Sequence, residues 1–229
     1  MGMSGEEFVA WLDRELEPLR QQAAASPYYD AWCSGQLSKE QVFELMKQRY
    51  AYIKENPSII AAWIARCPYP DVRLKFIDYL QEEAGHPEYL VDLARELGRD
   101  TEEMRQAELI PEFVTPYYYY WLVHGHMVEF VAANNFGNER TNTRTGSRMY
   151  EATVKHYAYP SLVKFFKEHA EEEGEHANLG AYVLKRYATT DELQRKATLA
   201  AKKSLHLKIT GTNALYERFV KNWEKSRNG

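Results

Sequence analysis

The stretch Ser161–Tyr187, SLVKFFKEHAEEEGEHANLGAYVLKRY, decides how the rest of the chain is read. Apolar residues return along it at three- and four-residue intervals, the period of one helix face, with no sustained strand-like alternation. In its middle His169, Glu173 and His176 fall four and three positions apart. They form one stripe across two helical turns. The acidic run beside them, Glu171-Glu172-Glu173-Gly174-Glu175, has by itself the composition of an ordinary solvated helix face.

Working outward, the same helical period covers nearly the whole chain. Ser4 with Glu7 and Ser38 with Gln41 have capping-box spacing, opening helices that run to the low twenties and to about Glu55. Ser26-Pro27 stops the first. A short apolar helix from Pro57 to about Ala65 ends in the turn Cys67-Pro68-Tyr69-Pro70. Asp71 is expected to cap the next helix, which carries Glu82, Glu83 and His86, with Pro87 bending or restarting it and Leu97-Gly98 ending it. Thr115-Pro116 opens a segment to about Asn134. Asn134–Gly146, rich in Asn, Thr and Gly, is expected to be irregular. Helices over Ser147–Tyr157, Ser161–Tyr187 and Thr190 to about Trp223 complete seven or eight. The expectation is an all-α chain, one helical domain over residues 1–229, with no linker or repeat.

Composition narrows the function classes. Against 33 acidic residues stand 29 Lys and Arg, a formal charge of −4, which argues against a nucleic-acid binder. No apolar run approaches the ~20 residues of a membrane span, and Met1–Glu7 lacks a signal-peptide pattern. Two cysteines, Cys33 and Cys67, make neither a disulfide framework nor a zinc knuckle. A cytoplasmic protein is expected. The chain is rich in aromatic residues, with 17 Tyr, 9 Phe and 5 Trp. The run Tyr117–Trp121 covers every face of its helix, so part of it packs and one or two rings could line a cavity.

The chemistry concentrates in two places. Glu82-Glu83-Ala84-Gly85-His86 and His169–His176 each contain Glu-x-x-His, as Glu83/His86 and Glu173/His176. Two such motifs on separate helices, with further inward carboxylates, build di-iron and di-manganese sites in helical bundles. Carboxylates neutralise and bridge two divalent ions, imidazoles add neutral ligands, and open positions remain for dioxygen. Gly85 and Gly174, unfavourable inside helices by about 1 kcal/mol relative to Ala, are expected to permit a close approach there. His124 and His126 face different directions. His126 and Glu129 share a face, which makes Glu129 a rival carboxylate ligand, while His156 and His206 have no such company.

The ordered pattern Glu83-x-x-His86, a later glutamate, then His169-x-x-x-Glu173-x-x-His176 resembles the haem-oxygenase-like di-iron oxidases and oxygenases. It is most similar to the decarboxylases that make terminal alkenes from medium-chain fatty acids. N-oxygenases, amino-acid-cleaving enzymes and a p-aminobenzoate-forming group are related, and thiaminase II and pyrroloquinoline quinone synthase share the fold. The resemblance extends from about Leu37 through the 180s, including Cys67-Pro68, Glu83–Gly98 and Val131–Glu139. It implies Glu139, which follows an Ala-Ala-x-Asn-aromatic segment, as the middle carboxylate rather than Glu129. The implied metal ligands are Glu83, His86, Glu139, His169, Glu173 and His176, holding two Fe(II) ions. Two departures stand out: Glu173 occupies a place usually held by aspartate, and an additional early glutamate falls on Ser58, one turn after Glu55. Either could make the second iron labile.

The resemblance further implies a small carboxylate substrate, an amino acid or a fatty acid, oxidised with dioxygen by decarboxylation, C–C cleavage or N-oxygenation. An external electron donor and a homodimer accompany it, with no nucleic acid and no membrane. Lys155, Arg148 and Lys208 are conceivable carboxylate partners. The alternatives are a metal-free thiaminase-like hydrolase of the same fold, which needs a nucleophilic cysteine, and a non-catalytic metal-binding helical protein.

Overall fold

Every element is a helix because the hydrophobic period that runs through the sequence is that of a helix face, and tertiary burial of that face supplies most helical stability. A computed structural model describes residues 2–113 and 125–227, apart from the side chains of Glu172, Glu173, Ser226 and Arg227. No strand occurs among the described residues. The helices are Gly5–Ala24, Pro27–Cys33, Lys39–Ile53, Asn56–Arg66, Pro70–Glu83, His86–Glu96 and Thr101–Arg105, then Met127–Val131, Gly146–Ala152, Pro160–Tyr187 and Asp191–Tyr216. Both expected capping boxes form, at Ser4/Glu7 and Ser38/Gln41.

Three differences from the sequence expectation have physical causes. Residues Asn134–Gly146 are largely helical: Ala132–Glu139 winds as a wide π-helix and Arg140–Asn142 returns to α. Several of the polar residues that suggested a loop, Asn135, Asn138, Thr141 and Thr145, are buried, because the segment is packed between the helices 160–187 and 191–216. Asp71 does not cap its helix. Tyr69 holds the cap position and Pro70 enters the first turn, where its missing N–H costs nothing. Asp71 instead accepts hydrogen bonds at 2.6 Å from the hydroxyls of Tyr182 and Tyr187. Finally, the chain breaks at Ala84-Gly85, so Glu83 closes one helix and His86 opens the next with Pro87 in its first turn.

Among the described residues the core has three apolar clusters. One gathers Trp32, Phe43, Met46, Leu90 and Phe165, a second Trp63, Phe76, Phe130 and Val183, and a third Phe8, Leu12, Phe136 and Leu205. Backbone approach is close where the long helix meets the first, at Gly5 against Lys185, and where it meets the wide one: a Cβ on Gly180 would lie 2.8 Å from the Phe136 amide nitrogen. Gly85 and Gly174 have nothing within 4 Å, so the close approach expected at those two positions falls at Gly180 instead. The third cluster also holds a buried cation. Arg20, 1% exposed, donates to Asp13 Oδ1 at 2.6 Å and to the Phe136 carbonyl at 2.9 Å. Arg20→Met is expected to cost about 1–3 kcal/mol in chemical denaturation, because the Phe136 carbonyl is left buried without its donor.

Candidate metal centre

Along the helix Pro70–Glu83 the buried residues are Val72, Phe76, Tyr79 and Glu83, an i, i+4, i+7, i+11 stripe. Glu83 therefore occupies the core-facing stripe, unlike its exposed neighbour Glu82. Across the break at Ala84-Gly85, His86 Nδ1 lies 3.5 Å from Glu83 Oε2. His169 comes from the long helix, and its ring centroid is 4.4 Å from that of His86. One ligand atom from each of Glu83, His86 and His169 falls within 4.8 Å of the other two. His169 Nδ1 sits 2.8 Å from the Phe165 carbonyl. That contact takes the Nδ1 proton and leaves Nε2 as the ligating nitrogen. Glu168 Oε2 stands 3.6 Å from His86 Nε2, and its Oε1 accepts from the Tyr89 hydroxyl at 3.2 Å.

A second group lies beyond Glu83. His176 Nδ1 is 4.0 Å from Glu139 Oε2, while its Nε2 is 2.8 Å from Glu82 Oε2. The wide helix shapes the surroundings of Glu139. In a π-helix residues five apart are stacked, so Asn134 Nδ2 reaches Glu139 Oε1 at 3.0 Å while Asn135 Nδ2 reaches Oε2 at 2.8 Å. Tyr79 also donates its hydroxyl proton to Glu139 Oε1, and its ring lies 4.3 Å from that of His176. Asn56 Nδ2 approaches Glu83 Oε2 at 3.4 Å.

The electrostatics follow from burial and mutual charge. Burial pushes the Glu83 carboxyl up, but the His86 hydrogen bond and the fields of His169, His86 and His176 prevail and hold it at about 2. His169 is driven down to about 3, chiefly by burial, against the pull of Glu83. Burial raises Glu139. It opposes protonation of His176, yet the Glu139 charge and the Glu82 hydrogen bond raise that imidazole. The sign for His169 is definite: its folded pKa lies below the ordinary 6.5, so its contribution is full above that pH. Between 6.5 and about 3 the unfolded chain takes up a proton that the folded chain refuses. The melting temperature of the metal-free protein is expected to fall across this window, and less steeply in His169→Asn; equal slopes would refute the assignment.

Both groups open onto one cavity of about 120 Å³. Glu83, Glu139, His169 and His176 line it at one side, with Tyr28, Tyr29, Tyr52, Phe113, Phe130 and Phe166 among its walls. Of the six residues expected as ligands, five are thus placed in or beside the cluster, His86 through its contact with Glu83. The side chain of Glu173 lies outside the described residues, as does the whole run Tyr117–Trp121 and His124. Glu129 stands beside Gly125, in the field of Lys196 and His126, away from the lining residues. His126 caps the helix that follows it and contacts the Tyr69 hydroxyl at 3.0 Å.

Several expected or overlooked positions are now placed. Ser58 is exposed and Glu55 is not among the described lining residues; Asn56 faces Glu83 instead. Lys208 lines the cavity and donates to Asn142, Arg148 pairs with Asp30 at 2.9 Å, and Lys155 is exposed. Neither cysteine is among the described lining residues, and burial pushes both thiols up. Sequence reading missed Glu168 and Glu82 beside the histidines, Tyr79 and the two asparagines on Glu139, and Arg49 in the cavity wall. Glu168, one residue before His169, and Tyr79, four before Glu83, carried a helical-spacing signal; Arg49 carried none.

The helices thus enclose a Glu/His cluster able to hold a metal, beside a cavity with aromatic walls. The chain belongs to the iron-containing redox enzyme family, whose model matches residues 44–209, a span that includes all six expected ligands. It is similar to the 4-aminobenzoate synthase of Chlamydia pneumoniae, 32% identical over 106 residues, or 44% of this chain and 46% of the relative. The match therefore spans less than half of that relative's length. The Chlamydia trachomatis serovar D 4-aminobenzoate synthase is 26% identical over 182 residues, covering 75% of this chain and 78% of the relative. The pyrroloquinoline-quinone synthase of Pseudomonas putida is 30% identical over 90 residues, 37% of this chain and 36% of that protein. Among solved structures, a TenA homologue from Pseudomonas syringae pv. tomato has a TM-score of 0.79 at 14% identity, covering 92% of this chain and 93% of its own. A domain of unknown function with a heme oxygenase-like fold from Shewanella denitrificans has a TM-score of 0.73 at 19% identity, covering 96% and 93%. These two neighbours establish the fold. No helix among the described residues is long and apolar enough to cross a membrane.

Proposed function

We propose that the protein is a non-haem di-iron oxidase or oxygenase that uses dioxygen to oxidise a small carboxylate substrate with an aromatic or apolar body. One observation carries the reading: Glu83, His86 and His169 form one group and Glu139 with His176 an adjacent one, and four of these five line a single aromatic-walled cavity. The donor set suits iron, buried carboxylates at Glu83 and Glu139 with three imidazoles being of the kind that holds carboxylate-bridged metal pairs. Glu83, His86 and His169 would hold one ion and Glu139 with His176 the second, with Glu173 as a further ligand and Glu83 shared between them. Bound iron would supply dioxygen activation.

The remaining work belongs to this chain's own groups. Glu83, ionised even in its buried position, offers charge to a cation without first losing a proton at neutral pH. His169 stays neutral and ready to ligate. Tyr79 and Asn134 donate to Glu139 Oε1 and Asn135 to Oε2, which fixes the carboxylate in one rotamer and leaves Oε2 a lone pair for a cation. The apolar walls keep bulk water from the reacting substrate. The relatives' names, 4-aminobenzoate synthase and pyrroloquinoline-quinone synthase, support an aromatic substrate and a biosynthetic role. A homodimer drawing electrons from an external donor is part of the proposal. The cysteine-dependent hydrolase is disfavoured, since neither thiol is among the described groups facing the cavity and burial disfavours both thiolates.

The test is anaerobic loading with Fe(II), metal counting, and then mixing with dioxygen while recording the visible spectrum and oxygen consumption. Iron uptake with oxygen consumption accelerated by particular amino or fatty acids supports the proposal. No iron uptake, or uptake that His176→Ala leaves unchanged, refutes it. In the same experiment Tyr79→Phe, which keeps the ring on His176 but removes the donor to Glu139, is expected to weaken iron affinity by about 10-fold or more.

A further inference from the structure

The cavity has a cationic group that the metal chemistry does not use. Arg49 lies in its wall with Tyr28, Tyr52 and His169. Its guanidinium carbon is 5.7 Å from the centre of the buried Phe165 ring. Its Nε is buried and has no hydrogen-bond partner among the described residues, and no ion pair joins it to a described carboxylate. The nearby carboxylate Glu83 is engaged with His86 and Asn56. The residue is half-buried, but its buried Nε has given up water without gaining an acceptor among the described residues, which an anion in the cavity would supply. The guanidinium fork matches a carboxylate in two parallel hydrogen bonds. The same cavity is lined by the apolar side chains of Ile59, Ile60, Phe113, Phe130 and Met149. Lys208, the other cation of the wall, donates to Asn142.

We infer that Arg49 is the anchor for the substrate's carboxylate, and that it selects small monocarboxylates with a flat aromatic body laid between the Tyr/Phe walls, the carboxylate end held on the His169 side of the cavity. This rests on the proposed oxygenase reading only for what happens to the ligand afterwards; the binding itself requires no metal.

The experiment is calorimetric titration of the full chain, both metal-free and loaded anaerobically with Fe(II), with benzoate and with its neutral isostere benzamide. Benzoate is expected to bind at least about tenfold more tightly than benzamide in both forms. Arg49→Gln should lower benzoate affinity 10- to 100-fold and leave benzamide unchanged, with Arg49→Lys in between. A measurement on the unaltered protein guards against a folding defect in the variants: benzoate should protect Arg49 from modification by phenylglyoxal, read by peptide mass. Equal affinity for the two probes, unchanged benzoate binding in Arg49→Gln, or no protection of Arg49 overturns the inference. Arg49-dependent benzoate binding in a chain that takes up no iron would refute the oxygenase reading and keep the subsite. Iron-dependent oxygen consumption with no Arg49 dependence would do the reverse.

Discussion

Glu83→Ala is expected to remove at least half of the bound iron and to depress substrate-dependent oxygen consumption by about a thousandfold or more. The magnitude follows from asking one carboxylate to do several things. It lies within ligand distance of His86 and His169, and its charge is also felt by Glu139 and His176, so its loss touches both halves of the centre. Metal-centred stabilisation of several kcal/mol corresponds to about three powers of ten in rate. Glu83→Gln, which keeps shape and loses charge, should behave nearly as badly, whereas Glu129→Ala should retain iron and activity. Iron counting beside an oxygen electrode decides it. Full iron content in Glu83→Ala would remove the residue from the centre.

Gly180→Val should destabilise the fold by upwards of about 3 kcal/mol, lowering the melting temperature by roughly 6–12 °C. The reason is geometric: even a first carbon at Gly180 would stand 2.8 Å from the Phe136 amide nitrogen, and backbone cannot swing aside as a flexible side chain can. Displacement of Phe136 also displaces Glu139 three residues later, so residual iron should fall with stability. Gly174→Ala, in the same helix, supplies the contrast. A Cβ there meets nothing within 4 Å, so the helix should gain about 0.5–1 kcal/mol from lost backbone freedom in the unfolded chain. Calorimetric melting of the two variants measures both signs, and a neutral Gly180→Val would mean that the two helices are not in contact.

How much of this could be read from the residues depended on whether the information was local. The long helix, both capping boxes and the restart at Pro87 were legible because spacing and proline chemistry act within a few residues. The Glu83/His86 pair was legible for the same reason, although the two residues sit on either side of a helix break rather than on one continuous face. Asn134–Gly146 was misread because its Asn, Thr and Gly content favours loops, and only packing between two distant helices overrides that preference. Arg49 could not be found by any spacing rule. Its meaning comes from being brought beside His169, far along the chain, and from making no ion pair with a described carboxylate. Gly174 was misjudged in the opposite direction, since a glycine beside a ligand motif says nothing about which face it presents.

The π-wound segment has a consequence for how this protein tolerates change in length. From Ala132 to Glu139 the chain carries more residues per turn than an α-helix would. Losing one residue between Asn135 and Glu139 would let the segment relax to α-geometry with little net change of phase, so Glu139 would keep its bearing relative to Met127–Val131 while its spacing from Asn134 and Asn135 shortened by one. Gaining one residue has no such slack to draw on and would turn Glu139 by about 100° around the axis. Substitutions in this stretch are judged by what they touch, but a change of length is judged by counting, and the wide turns absorb a deletion where they cannot absorb an insertion.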